Sequence, residues 1–487
     1  MNNLKKKNLN FKSIVVFAVV LSFMSAGCSD RRYTSEKLFW KAQKKSAKIL
    51  SKGKDKIEDS DYQKIIDIYR QVVDKCPLEP LGAEAQFIIS NVYIGLKDLK
   101  AAKSELMTIR NNFASNPTIA SRAHMMLAGI YEFEGEKLDA LNEYEIVMQQ
   151  YPLTPVGLSM PVYFVNYYNK NNQQAKSDDA YKKGIKHYRK LISDFAETDV
   201  AVVVMDKLAE FYLLKKDFPE AIAVWDDITK NYAERPQALK AYLLKAKLYA
   251  QELNDLAKAR EVYWQIIKTY PKHPMVSEVK VQIGLLLIKD KKIEEAKALY
   301  QGLLKDYKDD QQISVKAYMG LSYCYREEAD SSSVIKMYEE IKRRFPKTRA
   351  ALSVPFLVAQ YYEELKFPSK AESAYRSAIE EYSIAIDDKE ADEVYRSEAA
   401  NFLAICYIKN KDIKSALETL KILVKRYPQN PIYLLDMAML YRNLNDKDSA
   451  VKVYEKVIKD FSENKKIVQI AETQIKVLTQ AEPIKEN

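Results

Sequence analysis

Residues 202–234, VVVMDKLAEFYLLKKDFPEAIAVWDDITKNYAE, decide how this chain folds. Val203, Val204, Leu208, Ala209 and Tyr212 recur at helical spacing and give one apolar stripe. Lys215-Lys216-Asp217-Phe218 breaks the pattern as a turn, and Pro219 fits the first position of a second helix, where its missing N–H costs nothing. Ala221, Ile222, Val224, Trp225 and Ile228 form a second stripe that ends at Tyr232. A side chain as small as Ala221 lets two helix backbones come close, and Trp225, four residues on, fills the space beside it. Neither helix can bury its stripe alone, so copies of the unit must stack.

The same grammar runs through the chain eleven times. A mark, aromatic in ten cases, recurs at Cys76, Phe113, Tyr151, Phe195, Tyr232, Tyr270, Tyr307, Phe345, Tyr382, Tyr427 and Phe461. Seven residues before each stands a large side chain: Tyr69, Leu106, Tyr144, Tyr188, Trp225, Tyr263, Tyr300, Tyr338, Tyr375, Leu420 and Tyr454. Eleven before the mark the residue is Ala or Gly except at Ile65 and Val334. A period near 37 residues predicts an α-solenoid, which grows by addition and needs no larger single core. It also accounts for most of the 34 tyrosines, 23 of which fall at the mark, seven before it, or at one site of the preceding helix (Tyr93, Tyr131, Tyr168, Tyr212, Tyr249, Tyr325, Tyr362, Tyr407, Tyr441). The tyrosine excess is therefore read as packing and not as a ligand-stacking surface.

On these residues the chain resembles the tetratricopeptide (TPR) repeat. The family's small residue at position 8 falls on Ser90, Ala128, Ala209, Ala246, Gly284, Ser322, Ala359, Ala404 and Ala438, and its proline at position 32 on Pro77, Pro152, Pro271, Pro346 and Pro428. The resemblance implies an all-α, right-handed TPR superhelix of about eleven helix-turn-helix repeats over residues 35–480. A last helix at 465–479 is expected to cap it, followed by a polar tail at 481–487. Three places break the register: a lysine-rich insert at 51–58, an extended polar turn at 169–179 after a first helix with Pro161 in its opening turn, and an acidic connection at 383–394. Some TPR domains hold a peptide carboxylate with a clamp of Lys, Asn and Arg; here Asn91 is followed by Met126 where the clamp has a second Asn, so that clamp is absent. The groove positions that the resemblance implies suit an extended or helical protein segment. They are Phe87 and Asn91, then Met319, Arg326, Phe356, Leu435, Met439 and Arg442 toward the C-terminal half.

Residues 1–27 read as a secretory leader, with Lys5, Lys6, Lys7 and Lys12 before an apolar run from Ile14 to Met24 too short to span a membrane stably. Ser25-Ala26-Gly27-Cys28 resembles a bacterial lipobox, although the family usually places Leu where Ser25 stands. The resemblance implies lipidation at Cys28; plain cleavage and an uncleaved anchor stay open. Residues 28–34 would then be a short tether, reaching about 20 Å at most. Loss of the leader removes four lysines and no acid, so the net charge falls from +10 to +6. Lysine and glutamate alternate along the helices, and nothing resembles a basic stripe for nucleic acid.

Little in the chain suggests chemistry. His124, His187 and His273 fall in different units with no metal-type spacing, and adjacent acids such as Glu294-Glu295 point about 100° apart on a helix and cannot flank a substrate. Cys324 and Cys406 lie two units apart, beyond disulfide reach, so Cys76, Cys324 and Cys406 are expected to be buried free thiols. The expectation is a non-enzymatic protein with no cofactor. A lipobox followed at once by TPR units is similar to BamD-type outer-membrane assembly lipoproteins, which are usually about half as long. That resemblance implies an envelope lipoprotein on the periplasmic face of the outer membrane. Its partners would be other envelope proteins, such as an outer-membrane β-barrel or a secretion or export complex, with the membrane held through the N-terminal lipid. The alternative is a surface lipoprotein of the SusD type that captures a glycan or a peptide.

Overall fold

The computed structural model describes residues 33, 35–51 and 57–480, and every regular element among them is an α-helix. The leader, Cys28 and the tail lie outside the described residues, as does most of the 51–58 insert. The helices fall into two compact units that divide at Ala241/Tyr242, within α11 (Pro236–Gln251). The first unit holds α1 (35–50), α2 (Asp59–Lys75), α3 (Pro80–Gly95), α4 (Leu99–Asn112), α5 (Pro117–Glu134), α6 (Lys137–Gln150), α7 (Pro155–Lys170), α8 (Gln174–Asp194), α9 (Asp199–Leu213) and α10 (Phe218–Asn231). The second continues with α12 (Leu256–Thr269), α13 (Val276–Lys289), α14 (Ile293–Asp306), α15 (Gln311–Glu327), α16 (Ser331–Arg344), α17 (Arg349–Glu364) and α18 (Pro368–Asp387). It ends with α19 (Glu393–Lys409), α20 (Ile413–Arg426), α21 (Pro431–Asn443), α22 (Lys447–Asp460) and α23 (Lys465–Gln480). Odd-numbered helices up to α21 are first helices and even-numbered ones second helices of a repeat.

Within each unit, helices pack on their chain neighbours. First helices also touch across a repeat, α3 on α5, α5 on α7 and α7 on α9 in one unit, α13 on α15 and α17 on α19 in the other.

Ten of the eleven marks are the residue that closes a second helix; Phe113, for example, donates its N–H to the Ile109 carbonyl at 2.9 Å. All eleven large residues seven positions earlier are buried, as are the residues eleven positions earlier. Tyr300 shows why the two go together. Its ring lies between Gly284 of α13 and Gly320 of α15, so close that a Cβ would stand 2.4 Å from the ring at the first and 2.3 Å at the second. No side chain fits at either position without moving the tyrosine. Tyr188 and Tyr382 are buried likewise, and each phenol donates to a first-helix carbonyl, Leu158 at 2.5 Å and Leu352 at 2.8 Å.

The turn inside each repeat has one construction. From the second repeat on, one residue adopts positive φ: Lys97, Gly135, Asn172, Lys216, Asn254, Lys291, Ala329, Lys366, Lys411 and Asn445. The residue after it usually sends its N–H back to a carbonyl of the last turn, as Asp98 does to Tyr93 at 2.9 Å and Asp330 to Tyr325 at 3.0 Å. That is the bond of a Schellman closure. The donor also starts the next helix, and where it is aspartate its carboxylate commonly accepts an N–H three residues on, as at Asp98, Asp255, Asp330, Asp412 and Asp446. The side chains of Ser333 and Ser449, with the capping N–H groups, hold the carboxyls of Asp330 and Asp446 below the usual aspartate range, and the Lys258 N–H does the same for Asp255.

The irregular places differ from their sequence reading. Residues 169–179 are not an extended turn: α7 runs to Lys170, α8 begins at Gln174, and the extra residues lengthen α8 to 21 residues. Pro161 lies in the interior of α7 and not in its opening turn, and Gly184 makes room for it, since a Cβ there would come within 2.9 Å of the proline ring. At 383–394, Tyr382 does not close its helix; α18 continues to Asp387 and only 388–392 are non-helical.

Two substitutions test this packing. Gly320→Ala drives a methyl into the Tyr300 ring and is expected to cost about 1–3 kcal/mol. Ala329→Gly relieves a left-handed alanine and is expected to stabilise by about 0.5–1 kcal/mol. Urea denaturation followed by circular dichroism reads both.

Candidate protein-binding face

The site follows from how a first helix is packed. Gly284, Ser322, Ala359, Ala404 and Ala438 are buried on the first helices of the second unit. The next residue, about 100° further round the helix, leaves that contact. It is Leu285, Tyr323, Gln360, Ile405 and Met439 in turn. Four of these five are large apolar groups left 39%, 40%, 39% and 45% exposed. At the same register the first unit carries Asn91, Gly129, Asn166 and Glu210. α11, which the division cuts, carries Lys247 at this register, so the exposed apolar groups are confined to the first helices that follow it.

Most of the flanking charges are paired with an opposite charge, and Arg442 is held by a neutral amide. Arg326 donates to Glu364 at 2.6 Å and to the Tyr338 hydroxyl at 2.8 Å, and lies over the Tyr361 ring. Glu363 accepts from Tyr375 at 2.6 Å and from Lys409 at 2.9 Å, and these two partners hold its carboxyl below the usual range. Arg442 donates to Gln474 at 2.7 Å, and Lys316 reaches Glu278 at 2.5 Å. Apolar groups on packed helices, beside charges that are mostly paired, favour an apolar protein segment over a strongly charged one.

The residues expected from sequence separate into groups. Met439 is on the exposed row, and Asn91 is exposed at the same register of the first unit. Met319 is half-buried beside Tyr318 and Tyr338. Phe87 and Leu435 are core, not groove. Phe356 faces inward too, with its ring 5.7 Å from that of Phe402 and its N–H bonded to the Tyr382 hydroxyl. These three sit one helical turn before the exposed register, near the same side of the helix, where side chains of neighbouring helices cover them. Arg326 and Arg442 flank the row but are tied to Glu364 and Gln474. Leu285, Tyr323 and Ile405 were not anticipated; their signal is their place directly after the small residue.

The histidines stay apart. Buried His124 pairs through Nδ1 with Glu143, which also takes Arg110 at 3.1 Å and so joins α4, α5 and α6. His273 Nδ1 accepts the Met275 N–H at 3.2 Å, and burial lowers the pKa of His187. No group of three metal-type side chains exists among the described residues. Cys76, Cys324 and Cys406 are buried free thiols; burial pushes Cys324 up to about 11 and Cys406 up to about 12, which suppresses thiolate reactivity.

Tetratricopeptide repeat family models match residues 212–274, 278–310, 403–430 and 433–464. The chain carries tetratricopeptide repeats, and its fold is the all-α TPR solenoid. A curated relative, the aspartyl/asparaginyl beta-hydroxylase of Mus musculus, is 29% identical over 152 residues, 30% of this chain; the chain spans only 19% of that protein's length. Among solved structures, yeast Tom70 aligns over 90% of this chain and 97% of its own at 15% identity, with a TM-score of 0.38. A tetratricopeptide repeat protein from Parabacteroides merdae aligns over 50% and 88% at 17% identity, with a TM-score of 0.30.

Surface and core substitutions should separate cleanly. Tyr323→Ser and Ile405→Ser are expected to change stability by no more than about 0.5 kcal/mol, whereas Phe356→Ala and Leu435→Ala should cost about 2–5 kcal/mol. Thermal denaturation of the four variants checks this.

Proposed function

We propose that this protein is a non-enzymatic, lipid-anchored scaffold of the cell envelope that holds other proteins through its TPR surface. The observation that carries the reading is the exposed set Leu285, Tyr323, Ile405 and Met439, at one register of four first helices of the second unit and interrupted by Gln360 on α17, with no metal-type cluster among the described residues. Repeated rigid helices that present apolar side chains at fixed intervals suit an apolar protein segment laid across them. Leader and lipobox-like residues 1–28 support anchoring through Cys28, with the body facing the periplasm from the outer membrane. On that reading the partners belong to an assembly, secretion or export machine of the BamD-like kind.

Crosslinking in intact envelopes followed by capture of the protein is expected to recover a stable protein partner, and Tyr323→Asp with Ile405→Asp is expected to reduce its yield at least about tenfold, since a desolvated charge in an interface costs several kcal/mol. Recovery of no partner, together with saturable oligosaccharide binding, would defeat the scaffold reading. For the anchor, Cys28→Ala is expected to release the protein from membranes on a carbonate wash; retention would exclude lipidation as the tether.

A further inference from the structure

The terminal helix α1 has two opposite faces. Phe39, Ala42, Ser46 and Ile49 pack on α2, where Phe39 and Tyr69 have ring centroids 5.9 Å apart and the Ser46 and Tyr69 hydroxyls are 3.1 Å apart. The outer face carries Lys37, Lys41, Lys44, Lys45 and Lys48, all exposed, together with Trp40 at 59% exposure and, just before the helix, Tyr33 at 62%. At 100° per residue these seven side chains fall within an arc of about 140°, centred opposite the packed face. Residues 35–50 hold a single acid, Glu36, and it falls outside that arc.

Elsewhere lysines are commonly tied to carboxylates, as Lys240 is to Asp206 and Lys342 to Glu381. The five on α1 make no ion pair among the described residues; Lys37 and Lys44 lie instead over the Tyr33 and Trp40 rings, at 5.8 Å and 5.3 Å. Two exposed aromatics among unpaired lysines are costly to leave in water without a purpose. The combination matches one surface: aromatic rings settle at the polar boundary of a bilayer, while lysines reach anionic headgroups by extending their alkyl stems.

We propose that the outer face of α1 docks on an anionic lipid surface, with Trp40 and Tyr33 seated at headgroup level and the five lysines on lipid phosphates. This contact is separate from any lipid on Cys28 and stands whether or not that cysteine is modified. It would lay the end of the first unit flat on the bilayer. A lone acyl chain binds reversibly, and a basic aromatic face is the kind of second contact that makes attachment durable.

The test is the Trp40 signal, taken as the fluorescence difference between the full chain and its Trp40→Phe variant. With the full chain on vesicles of phosphatidylcholine containing about a third phosphatidylglycerol, Trp40 emission is expected to shift to the blue and its acrylamide quenching to fall severalfold, relative to phosphatidylcholine alone. Salt at about 0.5 M is expected to reverse much of the change. The triple variant Lys41→Glu, Lys44→Glu, Lys45→Glu is expected to abolish it while far-UV circular dichroism and the emission of buried Trp225 stay unchanged. Should that variant fail to fold, the triple change to Gln carries the same expectation. Trp40 emission that is the same on both vesicle types, or unaffected by the lysine changes, overturns the proposal. So does a shift produced by an acidic peptide or an RNA oligomer but not by the anionic vesicles.

Discussion

Each repeat depends on one close approach, in which a first helix meets its second helix at a residue with almost no side chain while a large group from the second helix fills the space alongside. Around Tyr300 this is most severe, because two glycines on consecutive first helices leave just the thickness of an aromatic ring between them. The phenols of Tyr188, Tyr300 and Tyr382 add a direction to the contact by donating to carbonyls of first helices. Everything else follows from that spacing. It puts first helices in contact across repeats, aligns their registers, and so turns the residue after each small one into a row on the surface.

The turns supply the second regularity. Reversing direction takes a left-handed residue, and only Gly135 among the ten intra-repeat turns is a glycine. Lysine or asparagine fills eight of the others, so most repeats accept some backbone strain, offset by the closing hydrogen bond and, at four of the eight, by a capping aspartate that follows directly. That explains how a chain of many sharp reversals contains just 11 glycines.

Much of this was legible in the sequence because packing repeats at fixed intervals. The marks at Phe113 or Tyr427 stop their helices because the chain must then turn, and a buried or half-buried aromatic seals the corner. Tyr382 carries the same residue in the same relation to Ala371 and Tyr375, yet α18 passes through it for five more residues. The polar, acidic run beyond Tyr382 reads as a loop by composition, although it contains no proline or glycine to stop a helix. Residues 174–179 mislead in the same way: Gln174 bonds Asp178 and Lys183 pairs with Asp179 at one-turn spacing, contacts that stabilise a helix in a segment with little to bury. The binding face was legible only in part. Composition locates its apolar half of the chain, but one helical turn separates core Leu435 and inward-facing Phe356 from the register that exposes Tyr323 and Ile405, and only the packed geometry fixes which turn is covered.

The packing of each helix on its chain neighbours bears on how the protein acquires its structure. Even the more distant bonds, such as those from Lys342 to Glu381 or Lys409 to Glu363, span little more than one repeat. Chains built from such short loops order quickly, because little entropy is lost in closing any one of them. Order can also begin at any repeat and spread to its neighbours. A chain that emerges from the ribosome from its first residue onward therefore has no need to wait for its far end: each pair of helices that appears finds its partner already in place.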